Sequence, residues 1–156
     1  MITKLDNSNE VISKQIYYIF QNAYKVEAKL IGTLHFPPLS RTAKNVQSSK
    51  SIFYGFRECD KLAGVIEIVF KDNQLDIHSL TVEPRYFNKG IAGKLIAFVL
   101  EKHDCSRAIV ETAVVNTPAI NLYMKYGFVE YKRWIPSHGI EKLALSIEYG
   151  SANHLK

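Results

Sequence analysis

The sequence predicts one α+β domain over residues 1–156, built on a mixed, mostly antiparallel sheet with a central βαβ unit and helices on both faces. Three observations carry this expectation. Strand-forming runs joined by short turns stand in both halves of the chain, the arrangement of antiparallel neighbours. Only one strand–helix–strand succession lies between them, from Leu75 to Val115, so a single parallel pair is expected. Apolar residues make up 47% of the chain and charged ones 22%, which is a globular composition with enough material for a sizeable core.

The elements follow in order. Ile2 to Leu5 reads as a short first strand. From Glu10 to Leu30 apolar residues recur at helical spacing, with Asn7, Ser8 and Asn9 as cap candidates and Gly32 as the stop. Pro37 and Pro38 keep the next segment out of regular helix, and Ser40 is positioned to cap a short helix to about Ser49. Strands are expected over Ile52–Cys59 and Leu62–Phe70, with turns at Asp60-Lys61 and Lys71–Gln74. A further strand, Leu75–Val82, precedes a helix from about Gly90 to His103. Ala108–Val115, nearly all β-forming, reads as an interior strand. Pro118–Tyr126 is a helix ended by Gly127, and strands Val129–Ile135 and Glu141–Glu148 close the chain around the turn Pro136–Gly139.

The Leu75–Val82 strand breaks its own phase. Leu75 and Ile77 are apolar at odd positions, Leu80 and Val82 at even ones, yet side chains of a regular strand alternate with a period of two. Either one extra residue near His78-Ser79 forms a β-bulge, or the strand is buried on both faces.

Charge and cysteine content narrow the function classes. The formal net charge is +5, which suits an anionic partner such as a phosphorylated small molecule, nucleic acid or a membrane. Lysine and arginine are scattered and form no basic run, so neither a nucleic-acid nor a membrane partner is expected. No stretch is long and apolar enough for a membrane span, and the N-terminus has no signal-peptide pattern. Cys59 and Cys105 are too few for a disulfide framework or a zinc site, so the expected setting is the reducing cytoplasm, with no metal.

The chemistry-bearing segment runs from Val82 to Leu95: a strand, a small-residue loop, then a helix. The first amides of a helix lack internal partners and point outward at its positive end, where small residues let a phosphate approach closely. Asn88 tolerates a left-handed backbone, and Lys89 and Lys94 add attraction for anions. A nucleotide P-loop fails here, because Gly90 and Gly93 are separated by only two residues and Leu95 follows Lys94. The dinucleotide fingerprint lacks its first glycine, and its fold needs several βαβ units where this chain has one.

The segment resembles motif A of the GNAT superfamily of acyl-CoA-dependent N-acetyltransferases, Gln/Arg-x-x-Gly-x-Gly/Ala. The pattern falls on Phe87, Asn88, Lys89, Gly90, Ile91 and Ala92, preceded by Val82-Glu83-Pro84. Phe87 stands where the family usually has Arg or Gln, so one polar contribution to the loop is missing. A second stretch, Asn116-Thr117-Pro118-Ala119-Ile120-Asn121-Leu122-Tyr123-Met124-Lys125-Tyr126-Gly127-Phe128, resembles the family's Asn-x-x-Ala-x-x-x-Tyr-x-x-x-Gly-Phe signature. The resemblance implies N-acetyl transfer from acetyl-CoA to a primary amine of a small molecule or peptide. It implies cofactor contacts from Leu80, Thr81 and Val82 of a kinked strand, from the loop and helix start through Gly93 and Lys94, and from Asn116, Ala119 and Tyr123.

The implied mechanism is direct attack of a neutral amine on the thioester in a ternary complex. The Leu80 amide is the candidate oxyanion donor, and Tyr123 the candidate general acid. By periodicity alone Tyr123 reads as a core aromatic beside Ile120 and Met124; the flanking signature is what turns it toward the acid role. Asp76 aligns with the glutamate of histone-acetylating members, and a bulge brings in His78; Glu67 and Glu111 are further base candidates. Each also reads as an exposed strand residue or a satisfied polar group, with ordered water as the remaining option. Cys105, beside Asp104 after a helix end, is not expected to act. The acceptor site is expected from the first helix, the Gly32–Ser40 loop and the Pro136–Gly139 hairpin, through His35, Phe36, Trp134 and His138. Those same aromatics would serve equally as loop packing or a homodimer surface. A non-catalytic acyl-CoA-binding sensor on the same fold is the alternative reading.

Overall fold

The computed structural model describes residues 1–149; residues 150–156 of the expected domain lie outside the described residues. Within the described residues seven strands form one sheet: β1 (Ile2–Leu5), β2 (Ile52–Glu58), β3 (Lys61–Lys71), β4 (Gln74–Val82), β5 (Arg107–Ala113), β6 (Val129–Trp134) and β7 (Lys142–Glu148). Their spatial order is β1-β2-β3-β4-β5-β7-β6. Every neighbouring pair is antiparallel except β4 and β5, which are parallel. Among the described residues there are four α-helices: α1 (Glu10–Ile31), α2 (Ala43–Ser48), α3 (Ile91–Lys102) and α4 (Thr117–Lys125). The mixed, mostly antiparallel sheet with one βαβ unit is the α+β fold that the sequence predicts.

Local chemistry sets the boundaries. Asn9 caps α1 by accepting from the amides of Val11 and Ile12, and Gly32 ends it in the left-handed region at φ 80°. Cys59 and Asp60, then Asp72 and Asn73, take positive φ in pairs. These are the two-residue turns whose twist matches antiparallel strands, and they tie β2 to β3 and β3 to β4. Two details differ from the sequence expectation. The Pro37–Ser40 segment is one turn of 3-10 helix, and Thr42 rather than Ser40 caps α2, through a reciprocal pair with Asn45. A serine at the end of a 3-10 turn bonds back to it (Ser40 Oγ to Pro37 O, 2.7 Å), which leaves the cap to the next hydroxyl.

Each face of the sheet has its own core. On one, Ile16, Ile19, Phe20 and Tyr24 of α1 and Val46 of α2 bury Phe53 and Val65. On the other, Ile91, Leu95, Ile96 and Val99 of α3 pack on Ile66, Ile68, Leu75 and Ile77, with Tyr123 of α4 in the same cluster. Gly93 is needed here for its size, because a Cβ would run into the Tyr126 hydroxyl.

The phase break in β4 is a bulge. Glu67 pairs with Ser79 and Ile68 with Ile77, which leaves His78 as the extra residue. Leu75, Ile77, Leu80 and Val82 thereby share the α3 face, while Ser79 and Thr81 face α1 and are buried as well.

A buried ion pair ties the segment before α2 to this bulge. Arg41 donates to both Glu67 carboxylate oxygens, at 2.6 and 2.9 Å, and Glu67 also accepts from Ser79 Oγ at 2.9 Å. The guanidinium lies over the rings of Phe20 and Phe53, at 5.6 and 5.9 Å from their centroids. Burial pushes the Glu67 pKa up, but the Arg41 hydrogen bonds and charge outweigh it and hold the carboxyl below its ordinary range.

Arg41→Ala leaves that carboxylate buried without a counter-charge, at an expected cost of about 3 kcal/mol near neutral pH. In the native chain the folded-state pKa of Glu67 is depressed, so its contribution is complete above the ordinary carboxylate range and lost as the pH falls through the folded value. In the variant, burial alone remains and raises that pKa, so acid relieves the defect. Urea titrations at neutral pH and near pH 4 should therefore show a larger deficit at neutral pH. Equal deficits would sink the assignment.

Candidate functional site

The parallel ladder between β4 and β5 is short. Gln74 to Ile77 pair with Arg107 to Val110, and pairing stops where the bulge begins. Beyond it, His78–Val82 and Glu111–Ala113 diverge, and cavities open at the divergence. Glu83 donates its amide to Ala63 O at 2.8 Å, on the β3 side. Backbone groups alternate edges along a strand, so Leu80 and Val82 turn theirs toward the gap. An extended ligand laid in the gap finds unpaired strand backbone there.

The gap continues into a groove of about 540 Å³ lined by Leu80, Thr81, Val82, the Phe87–Asn88 loop and the first turn of α3. Pro84 to Tyr86 form a 3-10 turn capped by Glu83. Asn88 then takes φ 64° and Gly90 φ 76°, left-handed positions that turn the chain into α3. The loop conformation expected for Asn88 is present. The amides of Ile91, Ala92 and Gly93 open the helix without intrahelical partners, and these three residues line the groove. Thr81 Oγ1 is buried and has no hydrogen-bond partner among the described residues, so it is a polar group left available beside the groove. Of the two loop lysines, Lys89 lies 3.7 Å from Glu58 and Lys94 lies over the Phe56 ring; neither lines the groove.

On the other side of the gap lies a cavity of about 280 Å³, lined by Tyr24, Phe36, the bulged segment of β4, the end of β5, His138 and Lys142. A third cavity of about 570 Å³ shares Tyr24, Ser79, Glu111 and Lys142 with it and extends to Arg41, Glu67 and Asp76. The groove and the first cavity meet: Glu27, Leu80, Asn116, Ala119 and Tyr123 line both.

The sequence-derived residues distribute as follows. Tyr123 is buried at this junction, its ring 5.6 Å from that of Phe128. Burial, with the nearby Glu27 and Tyr24, pushes its pKa well above the ordinary tyrosine value, so it stays a phenol. Asn116 caps α4 through the Ala119 amide at 3.3 Å. Glu67 is committed to Arg41, and Glu111 pairs with Lys142 at 3.0 Å. Asp76, half-buried before the bulge, accepts from Gln74 Nε2 at 2.8 Å, and the bulged His78 is exposed. Phe36 and His138 line the first cavity. His35 is exposed on the loop, and Trp134 packs against Lys132 and Lys142; neither lines any of these cavities. Cys105 is a buried free thiol whose pKa is raised by burial, which fits its expected inertness.

Glu27 was not singled out by the sequence reading. It sits on α1 one turn after Ala23 and three residues after the buried Tyr24, at the edge of the face that α1 presents to the sheet. A carboxylate at a position that helical periodicity assigns to the inner edge was the available signal. Burial raises its pKa, against the lowering influence of the Asn116 side chain and Lys142.

A mixed sheet that splays between β4 and β5, with the start of α3 at the splay, is the frame of the site. The chain belongs to the Acetyltransferase (GNAT) family, whose profile matches residues 14–128. It is 36% identical over 129 residues to the UPF0157 protein YqkA of Bacillus subtilis, covering 82% of this chain and 38% of that protein. It is 40% identical over 60 residues to N-alpha-acetyltransferase 30 of Saccharomyces cerevisiae, covering 36% of this chain and 34% of that one. The chain thus spans well under half the length of these relatives. Among solved structures, the ribosomal-protein-S18-alanine N-acetyltransferase of Escherichia coli superposes with TM-score 0.74 at 19% identity, covering 96% of this chain and 94% of that one. The PaiA N-acetyltransferase of Thermoplasma acidophilum, solved in complex with coenzyme A, superposes with TM-score 0.74 at 16% identity, over 96% and 98%. Among the described residues no helix is long and apolar enough to cross a membrane.

Tyr24 and Tyr123 should keep phenol chemical shifts at about pH 11, a unit above the ordinary tyrosine pKa of about 10. NMR of ring-labelled tyrosine checks this, with Tyr24→Phe and Tyr123→Phe assigning the signals; ionisation of either near pH 10 would contradict its burial.

Proposed function

We propose that this chain is an N-acetyltransferase that moves the acetyl group of acetyl-CoA to a primary amine of a small molecule or peptide. The transfer is direct, within a ternary complex. The observation that carries the reading is the meeting of two cavities at one set of residues in the strand gap. One has strand backbone and helix-start amides for a long anionic donor; the other is the space left for an acceptor.

Acetyl-CoA enters as substrate. The Ile91–Gly93 amides suit its pyrophosphate, with the helix dipole in support. Leu80 and Val82 offer backbone pairing to the pantetheine arm, and Thr81 Oγ1 is the free side-chain partner nearby. With Phe87 in the loop, the pyrophosphate is held by main chain rather than by an arginine. This reading gives Asn88, Gly90, Ala92, Asn116 and Ala119 to the donor side, and Phe36 and His138 to the acceptor side. The names of two similar proteins, an N-alpha-acetyltransferase and a ribosomal-protein-S18-alanine N-acetyltransferase, support a primary amine as acceptor, peptide α-amines included. The two free thiols, Cys59 and Cys105, support a reducing setting such as the cytoplasm.

Holding both substrates at one junction supplies much of the rate. As the amine attacks, charge builds on the thioester oxygen, and the Leu80 amide turned into the gap is the donor aimed at it. The departing sulfur takes a proton from Tyr123, which burial keeps protonated across the working range.

Calorimetry should show acetyl-CoA binding, and thiol release across an amine panel should reveal turnover. Tyr123→Phe should lower kcat about 100-fold and leave acetyl-CoA affinity nearly unchanged. No binding at millimolar acetyl-CoA would defeat the cofactor reading. Binding without turnover on any amine would favour the sensor, and an undiminished Tyr123→Phe rate would remove Tyr123 from the mechanism.

A further inference from the structure

The carboxylate nearest the acyl-transfer junction comes from α1 rather than from the sheet. Among the described residues, Glu27 is the only acidic side chain lining both the donor groove and the acceptor cavity. The sheet carboxylates are otherwise placed. Glu67 is held by both guanidinium nitrogens of Arg41, Glu111 faces Lys142, and Asp76 lies on β4 before the bulge; none of them lines the donor groove. The route for Glu27 to reach the junction is the strand gap itself. A carboxylate from the α1 face and the Tyr123 phenol from the α4 face line both cavities there, and the Glu27 charge helps to raise the Tyr123 pKa.

We infer that Glu27 is the general base of the transfer, taking the proton from the acceptor ammonium at the mouth of the gap, opposite Tyr123. The inference rests on the N-acetyltransferase reading. The proton balance is complete with these two groups. The Glu27 carboxylate removes one proton from R–NH3+, and the neutral amine attacks the thioester carbon, forming the C–N bond and an oxyanion. Collapse breaks the C–S bond; Tyr123 gives its phenol proton to the sulfur and regains one from the acylated nitrogen. Products are the N-acetyl amine, free coenzyme A and one proton, which Glu27 passes to solvent through the acceptor cavity.

The groups facing Glu27 fix the sign of the pH dependence. Tyr24 on its own helix and Tyr123 on α4 are neutral phenols, and Lys142 on β7 is the cation that favours the ionised form. His78, Glu111 and His138 line the same acceptor cavity. A base that must be ionised gives a rate that falls on the acid side of its pKa.

The test uses Glu27→Gln, which keeps size and polarity, with an amine that the native chain acetylates. Thiol release is measured across pH, and acetyl-CoA affinity by calorimetry. Expected are a fall in kcat of about 100-fold, loss of the acid-side ionisation from the rate profile, and acetyl-CoA affinity within about twofold of native. Glu27→Ala should regain rate on addition of formate, a response that a packing role would not give. A Glu27→Gln enzyme with native rate and profile overturns the inference. So does a loss confined to the KM for acetyl-CoA, or an alanine variant that formate leaves unmoved. Native protein that binds acetyl-CoA yet acetylates no amine overturns the transferase reading and this inference with it, whereas an active native enzyme beside an unaffected glutamine variant overturns the base alone.

Discussion

A single unpaired residue, His78, organises this molecule. A strand cannot accept an extra residue and still run parallel to a straight neighbour, because the added length and twist carry its far half away. The ladder with β5 therefore ends at Ile77 and Val110, and the sheet opens between its central strand β4 and the neighbouring β5. Everything assigned to function lies along that opening: free strand backbone at Leu80 and Val82, the α3 amides at one end, and the α1 and α4 side chains that reach in from opposite faces. Without the divergence these groups would be separated by a closed layer of hydrogen-bonded backbone.

An open seam in a sheet is a liability, since it exposes polar backbone and removes pairing energy. The fold offsets this with rigid surroundings. The Arg41–Glu67–Ser79 network pins the bulge to the segment ahead of α2, over the rings of Phe20 and Phe53. On the opposite face Ile91 and Leu95 seat α3 against β3, and Tyr126 fills the notch at Gly93. The two cores hold the strands apart from either side, and Val82, Ile91 and Tyr123 belong both to that packing and to the wall of the donor groove.

Much of this was legible in the residues. The misphased Leu75–Val82 run left two readings, a bulge near His78 and Ser79 or a strand buried on both faces; the register has the bulge, and Ser79 and Thr81 on the second face are buried too. The caps at Asn9 and Gly32, the left-handed Asn88 and the order of elements followed from local chemistry that tertiary structure did not override. The placement of single side chains was less legible. Glu67 looked available until Arg41, distant in sequence, was found to enclose it. Trp134 and His35 lie in the elements expected around the acceptor but turn away from the cavities. Glu27 went unnoticed because a glutamate in a helix is ordinary until the strands opposite it part. Those outcomes depend on long-range geometry that periodicity does not encode.

The residues common to both cavities have a thermodynamic consequence. Glu27 and Tyr123 form part of the wall for either occupant, so a molecule on one side changes the solvation of groups that the other side also uses. Two ligands that share a wall in this way are energetically coupled. Whatever factor the first adds to or takes from the affinity of the second, the second returns to the first. Substrate binding in this fold is therefore a reciprocal property of the pair, written into the sheet by the place where its strands separate.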